Sequence, residues 1–171
     1  MLSADRHLEQ WIVAHRTGAL DPVFVALAWA GRFGVVWLAL ALFLALRRRS
    51  PALFAAVLAA DVAADLLAGL GKTLVARDRP AVHRLGPAES SHSFPSGHAA
   101  TSFACALVLA GAAPRLRAPL YLLAAAIAFS RLYDGDHYPL DVLAGALLGT
   151  LTALLLLAAA RRRSRRGPQP G

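Results

Sequence analysis

Residues 139–166 read PLDVLAGALLGTLTALLLLAAARRRSRR. After Asp141 no charged residue occurs until Arg161, and then five of six residues are arginine. An uncharged apolar run of this kind suits a helix that crosses a bilayer, which needs about 20 residues at 1.5 Å each. Arginines directly after such a run hold a chain end on the cytoplasmic side. Similar runs extend back toward the N-terminus. One spans about Pro22 to Leu46 and stops at Arg47–Arg49. A second starts after Pro51, a residue suited to the first turn of a helix, and reaches about Gly71. A third runs from near Ser96 to Ala113 and is closed by Pro114, and a fourth from about Arg117 to Ser130. The fifth runs from about Pro139 to Ala160.

The composition agrees with these spans. The chain has 171 residues, 57% of them hydrophobic, and a mean hydropathy of +0.52, too apolar for an ordinary soluble domain. The expected fold is therefore all-α: an integral membrane helical bundle of five to six transmembrane helices. Leu8, Trp11, Ile12 and His15 fall at helical spacing, so residues 5–17 add a short N-terminal interfacial helix. Residues 1–160 form one domain, and 161–171 read as a disordered basic cytoplasmic tail. The N-terminus lacks the basic start and apolar core of a cleavable signal peptide. The single cysteine, Cys105, lies in an apolar run and excludes an internal disulfide or a Cys-based zinc site; it reads as packing.

The net charge of +8 does not point to nucleic acid. More than half of the 18 basic residues lie in three clusters, Arg47–Arg49, Arg115 with Arg117, and Arg161–Arg163 with Arg165 and Arg166. No aromatic residues are interleaved with them as a stacking platform. Each cluster follows a span directly, and the tail can also touch anionic headgroups. Spans one, three and five therefore end in the cytoplasm. The loops 72–96 and 131–137 then lie on the opposite face, with the N-terminus outside and the C-terminus inside. Were the first 31 residues to cross, the count would be six and the loops would stay outside.

Those two loops carry the chemistry. The first begins KTLVARDRP, residues 72–80, and ends PSGH, residues 95–98. The second lies within SRLYDGDHYPLD, residues 130–141. Each pattern is weak alone. In this order, at the mouths of spans on one membrane face, they form a dense set of phosphate-handling groups. His137 and Asp141 are i and i+4, on one helix face.

The three patterns resemble the signature of the type 2 phosphatidic acid phosphatase superfamily: Lys, six residues, Arg-Pro; then Pro-Ser-Gly-His; then Ser-Arg, five residues, His, three residues, Asp. The resemblance covers residues 72–141 in detail and the flanking helices in character. It implies a metal-independent phosphatase acting on a membrane lipid phosphate, with no cofactor and no obligate protein partner. His137 is then the nucleophile that forms a phosphohistidine, with Asp141 orienting its ring. His98 protonates the leaving oxygen and then helps to activate water. Lys72, Arg79, Ser96, Gly97 and Arg131 bind the phosphoryl group. Fixed cations hold the charge of the transition state, and the N-terminus of the third span, with Ser96 as cap, points free N–H groups at phosphate.

The small chain and outer site favour a polyprenyl diphosphate of the undecaprenyl type. Phosphatidylglycerophosphate, phosphatidic acid and a polyprenyl-phosphate-sugar phosphate are the alternatives. Vanadium haloperoxidases share the signature and are the alternative of another class, against which the spans and the lack of a large soluble domain argue.

Other residues have plainer readings. Arg77 and Arg84 read as solvated loop charges or headgroup contacts, and His83 and His92 as peripheral. Asp61 and Asp65 share a face with Lys72 and read first as a polar contact inside the bundle, with a role in substrate binding or proton movement as the other reading. Tyr133, Asp134 and Asp136 border the second loop as candidates for shaping headgroup choice. Gly145 and Gly149 read as close helix packing within the bundle.

Overall fold

A computed structural model of the chain describes residues 3–86, 89 and 91–165, and all its regular structure is helical. In chain order these are α1 (Ser3–Ala14), α2 (Asp21–Gly31), a short turn of 3-10 helix at Arg32–Gly34, α3 (Val35–Arg48), α4 (Pro51–Val75), α5 (Gly97–Ala112), α6 (Arg117–Tyr133) and α7 (Pro139–Arg165). Three stretches are long and apolar enough to cross a membrane: Asp21–Arg48, Pro51–Val75 and Pro139–Arg163. The helix Gly97–Ala112 is apolar but shorter.

The core is made of small residues. Ala60, Ala64, Ala100, Ala104, Ala124 and Ala153 are fully buried, while Leu122, Leu143 and Leu155 are 65–71% exposed. That distribution suits a lipid solvent, where outward leucines cost nothing and helices associate by close approach of small side chains. α5 sits at the centre, packed by α4, α6 and α7. Its contact with α7 is backbone to side-chain-free backbone. A Cβ on Gly149 would collide with the Ala100 carbonyl, and one on Gly145 with the Ser96 carbonyl. The packing reading of these two glycines is thus what the bundle shows.

The expected first span is not one straight helix. It breaks at Arg32–Gly34, where Phe33 and Gly34 take positive φ of 53° and 66°. Gly34 is fitted to this place twice over, since it tolerates left-handed φ and since any Cβ would strike the Asp61 carboxylate. The break keeps α2 at the end of the bundle that carries the signature. At its start, the Tyr133 hydroxyl accepts from the Thr17 amide at 2.9 Å and donates to Asp21 at 2.7 Å. At its end, His98 Nε2 lies 3.1 Å from the Ala28 carbonyl. α3 then runs toward the other end, with Trp37 Nε1 bonded to Ser102 Oγ at 3.1 Å and the Arg48 guanidinium on the Ala112 carbonyl.

Three boundaries lie further along than expected. α4 continues to Val75 and carries Lys72 on its last turns; α6 takes in Arg131. α7 reaches Arg165, five residues into the segment expected to be disordered, because alanine and arginine are strong helix formers and cations suit a helix C-terminus. Residues 166–171 lie outside the described residues. α1 turns Asp5, Glu9 and Ile12 inward and leaves Leu8 and Trp11 49% and 59% exposed.

Replacing Gly149 with leucine should push α7 off α5, at a cost of about 2 kcal/mol. The expected reading is a melting temperature in detergent lowered by roughly 2–8 °C with activity falling alongside. Gly111→Leu is the control, because nothing lies within 4 Å of a Cβ there.

Candidate active site

Four helix ends meet at one end of the bundle. The C-terminus of α4 brings Lys72, and the N-terminus of α5 brings Ser96, Gly97 and His98. The C-terminus of α6 brings Arg131, and the N-terminus of α7 brings Asp141 just after His137. Ser96 is the α5 N-cap, its hydroxyl accepting from the Ala99 amide at 3.5 Å. Its own amide donates to the Asp141 carbonyl at 2.9 Å, so the two helix starts are fastened together.

His137 is 1% exposed; its Nε2 has a hydrogen-bond partner, while its Nδ1 makes no hydrogen bond and only faces a carboxylate. Arg79 Nη1 lies 3.3 Å from Nε2. A guanidinium can only donate, so Nε2 presents its lone pair and Nδ1 carries the proton. Nδ1 faces Asp141 Oδ2 at 3.6 Å, and that carboxylate oxygen also accepts from the Tyr138 amide at 2.9 Å. Burial holds the imidazole below its ordinary pKa range, against Asp141 and with the help of Arg79 and Arg131. The ring is therefore neutral at neutral pH, with Nε2 facing the cations. His98 has the opposite arrangement: the Ala28 carbonyl can only accept, so Nε2 holds the proton.

The cations converge on one carboxylate. Glu89 accepts from Arg79 Nη2 at 2.7 Å and from Arg131 Nη2 at 3.0 Å, and lies 3.9 Å from Lys72 Nζ. Burial works to raise the Glu89 carboxyl, but Arg131 and Arg79 outweigh it and hold it down to about 2. Glu89 thus stands as an internal anion where three of the expected phosphate ligands meet. The sequence reading missed it, because nothing in its spacing ties it to the signature. Arg79 also binds the Asp136 carbonyl at 2.9 Å, and burial draws it below the usual guanidinium range while Glu89 and Asp136 oppose this.

Arg131 is held from behind. Asp136 Oδ2 lies 2.5 Å from its Nη2 and Asp134 Oδ2 lies 3.4 Å from its Nη1. Both carboxylates are fully buried, and burial pushes Asp134 up to about 6 against the pull of Arg131. They orient a cation and do not line the space open to a headgroup. Tyr133 is committed to Thr17 and Asp21. The headgroup reading of these three residues is corrected accordingly.

Arg77 is the second correction. It is no solvated loop charge. Its Nη2 lies 2.5 Å from Asp5 Oδ2, its Nη1 pairs with Asp141 Oδ1, and its guanidinium lies 4.1 Å from the centre of the Tyr138 ring. Burial disfavours its charge, but Asp5 and Asp141 together raise its pKa. The only trace in the sequence was its place two residues before Arg79. Arg84 stays at the rim, 3.8 Å from Asp136, and His83 and His92 are exposed.

Beside His98 opens a cavity of about 390 Å³ lined by Arg32, Phe33, Asp61, Asp65, Lys72 and Glu89, among others. The shared face of Asp61, Asp65 and Lys72 is therefore the wall of this cavity. Asp61 is 7% exposed and accepts from Cys105 Sγ at 3.7 Å. Among the described residues, no three of His, Cys, Asp and Glu converge as metal ligands.

An oxyanion that enters the cradle must displace Glu89. Removing that competing charge with Glu89→Gln is expected to tighten inhibition by orthovanadate, a tetrahedral phosphate mimic, by about tenfold. An unchanged or weaker inhibition constant would show that the glutamate does not compete.

The PAP2 superfamily family model matches residues 52–165. An undecaprenyl-diphosphatase of Sulfolobus acidocaldarius is 30% identical over 147 residues, covering 82% of this chain and 71% of that protein. A decaprenylphosphoryl-5-phosphoribose phosphatase of Mycobacterium tuberculosis is 37% identical over 144 residues, covering 80% and 79%. Among solved structures, LpxE of Aquifex aeolicus superposes with a TM-score of 0.80 at 32% identity, covering 92% of this chain and 96% of that one. With the signature residues gathered at one end of the same fold, the chain belongs to the PAP2 superfamily, as one of its lipid phosphatases.

Proposed function

We propose that this phosphatase hydrolyses a polyprenyl diphosphate of the undecaprenyl type at the outer face of a cell membrane, through a phosphohistidine on His137. The observation that carries the mechanism is the pairing of His137, with Nε2 against the Arg79 guanidinium and Nδ1 toward Asp141.

The terminal phosphoryl group takes the place of the Glu89 carboxylate among Lys72, Arg79 and Arg131, with the Ser96 hydroxyl and the Gly97 amide at the α5 N-terminus. His137 Nε2 forms the bond to phosphorus as the bond to the bridging oxygen breaks, and His98, protonated at Nδ1 as well as at the Nε2 that donates to Ala28, supplies the Nδ1 proton to that oxygen. Asp141 stabilises the imidazolium character of the phosphorylated ring. A water deprotonated by His98 then attacks phosphorus, releases phosphate and restores Nε2.

The arginine clusters support the sidedness. Arg47 and Arg48 end α3 and Arg49 follows it, Arg115 lies between α5 and α6 and Arg117 begins α6, and Arg161–Arg163 are on the last turns of α7. By the positive-inside rule that end is cytoplasmic and the site faces outward. α3 to α7 then make five crossings, with α1 and α2 lying at the outer face.

The substrate reading draws on the undecaprenyl-diphosphatase likeness. A second reading, a polyprenyl-phosphate sugar phosphate, is favoured by the Asp61 and Asp65 carboxylates in the cavity beside His98. Carboxylates accept hydrogen bonds from sugar hydroxyls and would repel a second phosphate.

The test is purified enzyme in detergent with EDTA, assayed on undecaprenyl diphosphate, a polyprenyl-phosphate pentose phosphate, phosphatidylglycerophosphate and phosphatidic acid. Full activity in EDTA, the highest kcat/KM on the diphosphate, and a loss of about 10³-fold or more in His137→Ala are expected. Activity that requires Mg²⁺ would overturn the mechanism, and preference for the pentose phosphate would select the second reading. Because the nucleophile must be neutral and burial lowers its pKa, the acid limb of kcat/KM should fall below pH about 6.5.

A further inference from the structure

A carboxylate on a peripheral helix has no reason to be buried unless it is paired, since desolvating it costs several kcal/mol. Asp5 of α1 is 5% exposed, and both its oxygens are used. Oδ2 lies 2.5 Å from Arg77 Nη2, and Oδ1 accepts from the Leu140 amide at 2.9 Å. Leu140 is the second residue of α7 and directly precedes Asp141. Arg77 pairs through its other terminal nitrogen with Asp141 Oδ1, leaving Oδ2 toward His137 Nδ1. Four residues from α1, the α4–α5 loop, α7 and the α6–α7 connection thus form one line: Asp5, Arg77, Asp141, His137.

We propose that Arg77 and Asp5 are positioning residues for the nucleophile, acting through Asp141. Two things follow from the geometry. The planar fork of Arg77 fixes the rotation of the Asp141 carboxylate, which a point charge on a flexible stem would not do. The second carboxylate also keeps the charge balance right. One guanidinium alone on Asp141 would cancel the negative charge that His137 needs when its ring is phosphorylated. With Asp5 on the far side, the trio keeps a net charge of about −1 facing the ring. The same contacts make the seating of α1 a condition for an aligned nucleophile, because Asp5 grips the α7 N-terminus as well as Arg77.

The inference rests on the phosphohistidine reading above, and the experiment separates the two. Enzyme in detergent is reacted with ³²P-labelled farnesyl diphosphate and quenched in alkali, which preserves phosphohistidine. Steady-state pH profiles are taken with the same substrate, per unit of folded protein from size exclusion. His137 is faced by Arg79 and Glu89 from the α4–α5 loop, His98 from α5, Arg131 from α6 and Asp141 from α7. None of these is altered.

Asp5→Asn keeps an acceptor for the Leu140 amide and removes only the charge. It should lower kcat about 3–10-fold with KM unchanged, and move the acid limb down by about half a unit, because an anion near the imidazolium is lost. Arg77→Ala removes a cation, so its acid limb should move up, with kcat reduced about 100-fold. Arg77→Lys should leave the limb in place while kcat stays low, since charge is kept and the fork is not. A purely structural role predicts less folded protein and no opposed shifts. Folded Asp5→Asn with unchanged kcat and limb overturns the proposal, as does movement of both limbs in one direction; should Arg77→Ala not fold, Asp5→Asn decides. A wild-type enzyme that forms no phosphoenzyme overturns the nucleophile reading instead.

Discussion

The hydrogen bond from the Ser96 amide to the Asp141 carbonyl, 2.9 Å long, is the joint on which the site depends. It lies at the mouth of the bundle, where the first turns of α5 and α7 meet. It exists because Gly145 and Gly149 let the α7 backbone approach the carbonyls of Ser96 and Ala100. His98 stands two residues after one end of the bond, and His137 four residues before the other. The distance between the proposed acid and the proposed nucleophile is therefore set by helix packing rather than by loops. This is a demanding way to build a site, since helix association in lipid relies on shape and offers little compensation for a misplaced methyl group.

Charge balance is the second constraint. Lys72, Arg77, Arg79 and Arg131 all approach one end of an apolar bundle, and cations in such surroundings must be paired. The chain pairs each from a different direction. Asp134 and Asp136 hold Arg131 from the α6–α7 connection, Asp5 and Asp141 hold Arg77, and Glu89 lies among the remaining faces of Arg79, Arg131 and Lys72. The rear carboxylates orient the cations permanently. Glu89 differs because it lies among the three cations proposed to bind phosphate, and it arrives on a loop rather than a helix. A phosphoryl group that replaces it brings at least as much negative charge, so the cradle passes from one satisfied state to another.

Much of this was legible in the sequence, and the illegible parts share one cause. Apolar runs ended by arginines marked the helices, and fixed spacings marked Lys72, Arg79, His98, Arg131, His137 and Asp141. Spacing works for residues tied to the same helix turn or the same helix mouth. It is silent on pairings across the chain. Arg77 reaches Asp141 over 64 residues and Asp5 over 72, and Glu89 reaches Arg131 over 42. The break at Arg32–Gly34 was half visible, since Gly31 and Gly34 bracket it. Its cause was not, because the Asp61 carboxylate that crowds Gly34 comes from another helix.

That break also shapes the surroundings of the otherwise costly Asp61 and Asp65. If the first span had continued straight, α2 would have left the end of the bundle that carries the site and taken the Ala28 carbonyl from His98. Instead the chain turns at Phe33, accepting left-handed strain of about 1 kcal/mol, and α2 stays over the site. The turn takes Arg32 out of the helical backbone and sets it at the wall of the cavity that the α4 carboxylates also line. The kinked helix and the acidic face of α4 thus line one polar chamber together. The cavity beside His98 is thus made by the fold, and most of the residues that line it, Arg32, Phe33, Asp61, Asp65 and Glu89 among them, lie outside the signature that identifies the family.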